Sequence, residues 1–175
     1  MSHLSNALRA ATAAALMGTF ALASTATATA DPAGTGSSTD INTLAASLSK
    51  GYGPNNCTAQ NLTSGELAAL TCGQSPDPSG PVQAKYILFS NPDDLAGSFK
   101  ASIKDDVLSA CGDSGQSPTT WHQGSATTNA GQVACGTYQN AAEIIWTTDA
   151  KNILSYIRGS NTDIPALYQW WRANG

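Results

Sequence analysis

A β-hairpin constrains this chain more tightly than any other stretch. Over Gly131–Asp149, GQVACGTYQNAAEIIWTTD, two runs containing β-branched and aromatic residues flank Gln139 and Asn140. If those two residues form the loop, Tyr138 faces Ala141, Cys135 faces Ile144 and Val133 faces Trp146. Side chains alternate along a strand, so Val133, Cys135, Ile144 and Trp146 share one surface. Ala134, Gly136, Tyr138, Glu143 and Ile145 take the other, a more mixed set. One register therefore gathers a cysteine, a tryptophan and two β-branched residues on a single face, as a core-facing hairpin requires.

The start of the chain reads as a cleaved signal peptide over residues 1–30. His3 and Arg9 give a short basic opening, and Ala10–Ala23 is a small apolar run. Ala28, Thr29 and Ala30 then place small residues where a signal peptidase reads. The apolar run is too short and alanine-rich to span about 30 Å of hydrocarbon. Cleavage after Ala30, a secreted location and no stable membrane insertion after signal removal are the expectation. No cysteine follows the run and no Arg-Arg pair precedes it, which argues against lipidation and a twin-arginine signal. The next stretch, residues 31–40, is small and polar and reads as a disordered leader. A single domain over 41–175 remains, long enough for a real core.

Charge and cysteine usage narrow the class. The chain has 8 Lys+Arg against 12 Asp+Glu. Losing Arg9 with the leader leaves seven against twelve, a net charge of −5. With no basic cluster to neutralise phosphates, nucleic acid and anionic membrane are excluded as expected partners. Cys57, Cys72, Cys111 and Cys135 all follow the leader. An even number in an exported chain reads as two disulfides. Three pairings are possible, and Cys57–Cys72 with Cys111–Cys135 is favoured because each closes a modest loop. No Cys-x-x-Cys spacing points to zinc. The pairs Asp93-Asp94 and Asp105-Asp106 do not fit a spaced calcium loop. No metal or cofactor is expected.

The remaining segments place the elements. Asp40 caps a helix near 41–50 with Ile41, Leu44, Ala45 and Leu48 on one stripe and Gly51 as its stop. Glu66–Cys72 is strand or helix, and its flanking turns favour strand. Residues 73–82 are a Gly/Pro/Ser-rich loop, either a binding loop or a plain connection. Gln83–Ser90 is a strand with Lys85, Ile87 and Phe89 on one face and Ala84, Tyr86 and Leu88 on the other. Asn91 caps a helix near 92–104 with Pro92 at its first position and Leu95, Phe99 and Ile103 inward. Residues 112–130 are polar and irregular. Lys151–Arg158 reads as a third strand beside the hairpin, with a helix as the alternative. The last helix, near 163–173, carries Ile164, Leu167, Tyr168 and Trp171 on the docking stripe, leaving Gln169 and Trp170 off it.

Few residues carry recognisable chemistry. No Gly-x-Ser-x-Gly elbow, Walker loop, Gly-x-Gly-x-x-Gly or His-Glu-x-x-His is present. No catalytic residue is assigned, and Glu143 is the one acid worth naming for a wall-acting hydrolase. Trp121 and His122 interrupt a polar stretch. Trp121 is either a packed anchor or a binding aromatic, and His122 lacks a nucleophile motif nearby. Trp170 is either an exposed contact or a second core anchor. The candidate binding set is Trp121, His122, Tyr168 and Trp170.

A scattered set of residues then resembles a family. It comprises Gly51-Tyr52, Cys57, Leu70-Thr71-Cys72-Gly73, Gly80-Pro81, Tyr86-x-Leu88-Phe89 and Trp121-His122. Gly131-Gln132-x-x-Cys135-Gly136-Thr137-Tyr138, Trp146-Thr147-x-Asp149 and Leu167-Tyr168-x-Trp170-Trp171 complete it. These are similar to a small extracytoplasmic domain common in mycobacteria, found in secreted proteins of unknown function. Similar domains stand at the outer end of membrane serine/threonine kinases. The resemblance spans about residues 45–173 and implies extracellular sensing or binding, with no catalytic residues. Val-Ala-x-Lys, His-Arg-Asp and Asp-Phe-Gly are absent, so no kinase domain is present.

The expected architecture is α+β: an antiparallel sheet of about five strands, helices on one face, and two disulfides. The expected function is a non-enzymatic domain that binds or senses a cell-envelope ligand. A module for a secreted or membrane protein partner is the alternative.

Overall fold

The structure is a computed structural model that describes residues 34–175. The stretch read as a signal peptide, residues 1–30, and the first residues of the expected leader lie outside the described residues. The rest of that leader is ordered from Gly34 onward. Gly36 bridges Ala68, and Ser37 rather than Asp40 caps helix α1 (Ser38–Ala45). The Ser37 hydroxyl donates to the Asp40 carboxylate at 2.6 Å while its oxygen accepts from the Asp40 amide at 3.1 Å. Two partners thus satisfy the helix start, as Ser-x-x-acid sequences do. The helix ends at Ala45, short of Gly51, where the Ser47 amide turns back to Leu44. Leu44 is fully buried, and Ile41, Ala45 and Leu48 pack beside it as their spacing predicts.

Eight strands form one antiparallel sheet among the described residues. They are β1 (Cys57–Ala59), β2 (Glu66–Cys72), β3 (Gln83–Phe89), β4 (Val107–Ser109), β5 (Thr119–Trp121), β6 (Gly131–Tyr138), β7 (Ala141–Thr148) and β8 (Ile153–Arg158). Their spatial order is β1-β2-β3-β8-β7-β6-β4, with β5 also on β6. The five strands expected from sequence are β2, β3, β6, β7 and β8. The other three are three-residue edge pieces, too short to show alternation. Segment 151–158 resolves as strand from Ile153, and β5 lies inside the stretch expected to be irregular.

The hairpin takes the expected register. Val133 pairs with Trp146, Cys135 with Ile144 and Tyr138 with Ala141. Gln139 and Asn140 both have positive φ, 47° and 63°, the conformation of the two-residue turn that matches strand twist. Both disulfides form in the favoured pairing, Cys57–Cys72 and Cys111–Cys135.

The helices do not share one face. Helix α1 and helix α3 (Ile164–Asn174) cover the face bearing Tyr86, Val133, Ile144, Trp146 and Ile157. Helix α2 (Pro92–Ser102) covers the opposite face, placing Leu95 and Phe99 over Ile87, Ala134, Ile145 and Leu154. The reason is in the strands. Residues 141–147 are buried in unbroken succession, and a strand apolar on both sides needs cover on both. Burying each large aliphatic or aromatic side chain contributes about 1.5–3 kcal/mol, so neither face can stay bare. Asn91 caps α2 as expected, its side-chain oxygen accepting from the Asp94 amide at 2.9 Å, with Pro92 in the first turn. No helix among the described residues is long and apolar enough to cross a membrane.

Candidate functional site

Helix α3 and the segment before β6 enclose an open cleft of about 850 Å³. Asp163 caps α3 by accepting from the Ala166 amide at 3.0 Å, and Pro165 stands in its first turn. The helix buries Leu167, Trp170 and Trp171. Ile164 and Tyr168, expected on the same stripe, are half-buried at its edge. Tyr168 lies against Trp171, with ring centroids 5.3 Å apart, and its outer side lines the cleft with Arg172, one turn further on. Across the opening stand Gly112, Asp113, Trp121 and His122.

Each sequence candidate has a definite place. Trp121 is half-buried: its indole N–H donates to the Thr147 carbonyl at 2.8 Å, and its ring meets Trp171 edge-on at 5.6 Å. It is both a packed anchor and a wall of the cleft. His122 is exposed at the rim, with Nδ1 2.9 Å from the Thr128 carbonyl. Tyr168 faces both from α3. Trp170 does not join them. It is 5% exposed and its indole N–H donates to Asp77 at 3.0 Å. Trp170 is therefore a core anchor, because a stripe at both three- and four-residue spacing from Leu167 takes in residues 170 and 171 together.

The same contact defines the 73–82 loop. Asp77 and Gly80 close over Trp170, while Gly73, Gln74, Pro76, Pro78 and Ser79 stay exposed. Hydrogen bonds from Ser79, and then from the Trp170 N–H, hold the Asp77 carboxyl below the usual carboxylate range. A Cβ built at Gly80 would lie 2.9 Å from the Trp170 indole nitrogen, which leaves that close approach to glycine.

No family model, curated protein or solved structure matches the chain. The cleft must then be judged by its own chemistry. Two aromatic walls, one cation (Arg172), one anion (Asp113) and several hydroxyl and amide groups make it amphipathic and nearly neutral. Gly112 completes it: φ is +54°, and a Cβ there would stand 2.5 Å from the Tyr168 ring. Arg172 and Asp113 went unnoticed in the sequence. Arg172 had a signal, since it lies four residues after Tyr168 on the same helix.

Glu143, the named acid, belongs to the other face. It pairs with Arg158 across β7 and β8. Its Oε1 accepts from the Tyr156 hydroxyl and from Arg158 Nη1, both at 2.7 Å. Arg158 Nη2 also donates to the carbonyls of Tyr138 and Gln139. Burial raises the Glu143 carboxyl above its usual range despite the Tyr156 hydrogen bond, and nearby Asp106 raises it further. This ion pair could be reached by counting: once 149–152 is a turn, residue 143 falls opposite residue 158.

Proposed function

We propose that this chain is an exported, non-enzymatic domain of the cell envelope that binds a polyol-rich, weakly charged ligand such as wall polysaccharide in the α3 cleft. The convergence of Trp121 and His122 with Tyr168 and Arg172 carries this reading. They come from segments more than forty residues apart in sequence, and together they line one opening. Aromatic faces suit the C–H surfaces of sugar rings, while the polar rim supplies hydrogen bonds that fix orientation. Two disulfides fit an oxidising compartment, and the apolar leader supports export. The resemblance to the outer domains of membrane serine/threonine kinases supports sensing.

Co-sedimentation of the oxidised protein with purified wall polysaccharide and with envelope-lipid vesicles tests the proposal. His122→Ala/Arg172→Ala serves as the comparison, since both side chains are exposed and leave the packed aromatics intact. Saturable binding to polysaccharide, weakened at least about tenfold in the variant, a loss of 1.4 kcal/mol, is the expected result. Equal binding by both proteins, or none to the polysaccharide, would overturn it.

A further inference from the structure

A second concavity of about 340 Å³ opens on the α2 face of the sheet and shares no lining residue with the cleft. Its apolar floor is Ile87, Ile145 and Leu154, and Tyr138 and Tyr156 wall it. Asp105 and Asp106, just past the end of α2, stand on its rim. Glu143 lies within it and is only 3% exposed. Both donors that reach Glu143 go to Oε1. Among the described residues none reaches Oε2, and that atom is not among the sealed, partnerless polar atoms of the core. That oxygen is therefore open to the pocket, where it can accept from water or from the N–H of a ligand.

The charge count points the same way. Arg158 is committed to Glu143 and to two carbonyls. Lys85 is then the only other cation lining the pocket, against Asp105 and Asp106. It is exposed, and no ion pair holds it among the described residues. The pocket thus keeps an excess negative charge above an apolar floor.

We propose that this pocket binds a small organic ammonium group, whose N–H donors reach Glu143 Oε2 and whose hydrocarbon part lies on Ile87, Ile145 and Leu154. The carboxylates of Asp105 and Asp106 supply the compensating charge. Two sources present that chemistry: a free alkylamine, and an amine-bearing side chain within a peptide.

The test is a titration of the isotope-labelled, oxidised protein followed by amide chemical shifts. The probes are 1,5-diaminopentane and Nα-acetyl-lysine methylamide, with 1,5-pentanediol as the uncharged control. Saturable shifts are expected at residues 85–87, 143–145 and 154–158, with the diol inert. Stronger binding of the diamine would identify a free amine as the ligand type, and stronger binding of the lysine derivative a peptide side chain. Asp106→Asn, on the rim, should weaken the better probe about tenfold, and Glu143→Gln should abolish its binding. If Glu143→Gln does not fold, Asp106→Asn alone decides. Three results would each overturn the proposal: no saturable shifts with either amine, equal shifts from the diol, or unchanged affinity in Asp106→Asn. Because His122 and Arg172 line the other cleft, their double variant should bind the amines like wild type, which separates failure here from failure of the polysaccharide reading.

Discussion

Asp106 and Glu143 both hold their carboxyls above the usual range, chiefly because they are withdrawn from water and secondly because a like charge stands near: Asp105 beside Asp106, and Asp106 beside Glu143. Raised folded-state values mean that folding favours the protonated forms. Their contribution to stability is therefore fully present below the ordinary carboxylate pKa and is lost as pH rises through the raised values. Asp106→Asn removes one titrating group and relieves its neighbour. Urea unfolding of wild type and variant in parallel should show wild type gaining on the variant as pH falls from about 7 to about 4.5. A difference that stays flat across that interval would count against the mutual repulsion described here. The residue scale is also where sequence reading reached least far. Nothing in the spacing of α3 revealed that Asp77 would meet the Trp170 indole, because that contact joins residues 93 positions apart.

The β6–β7 hairpin was legible to the residue, and its physics explains why. Period-two alternation of unlike faces leaves one register in which both are consistent, and a two-residue loop fixes the count. The loop itself is imperfect. Gln139 sits at φ 47° without the local tolerance of Asn or Gly. Gln139→Gly should raise stability by about 0.5–1 kcal/mol, net of the entropy glycine adds to the unfolded chain, and a higher melting temperature with unchanged circular dichroism would show it. A lower melting temperature would mean that the Gln139 side chain, which donates to the Tyr138 hydroxyl at 3.1 Å, outweighs the backbone strain. Helices were legible where caps and stripes agreed, as in α2. The start of α1 was misplaced because Asp40, taken as the cap, lies inside the helix and is hydrogen-bonded to the true cap, Ser37. Strands β1, β4 and β5 escaped because three residues cannot display a period.

For the whole molecule, fold class and disulfide pairing followed from sequence, but the layering did not. Helix stripes show that a helix is amphipathic and leave open which sheet face it covers. That choice comes from the unbroken burial along β7, which calls for cover on both sides. The position of the two bonds between cysteines has a consequence for the sheet's extent. Cys57–Cys72 ties marginal strand β1 to β2, and Cys111–Cys135 ties the segment just after β4 to β6. Each sulfur bridge hems one border of the fabric. Opening both bridges with a mild thiol should cost about 2–5 kcal/mol for each, and local opening should begin where few contacts remain. Amide exchange measured with and without dithiothreitol should then accelerate first at residues 57–59 and 107–121, while 143–157 stay protected. Uniform acceleration along the chain would instead mean that the borders and the centre unravel together. If the borders go first, the breadth of the sheet becomes a reporter of its surroundings, with eight strands under oxidising conditions and a five-strand remnant under reducing ones.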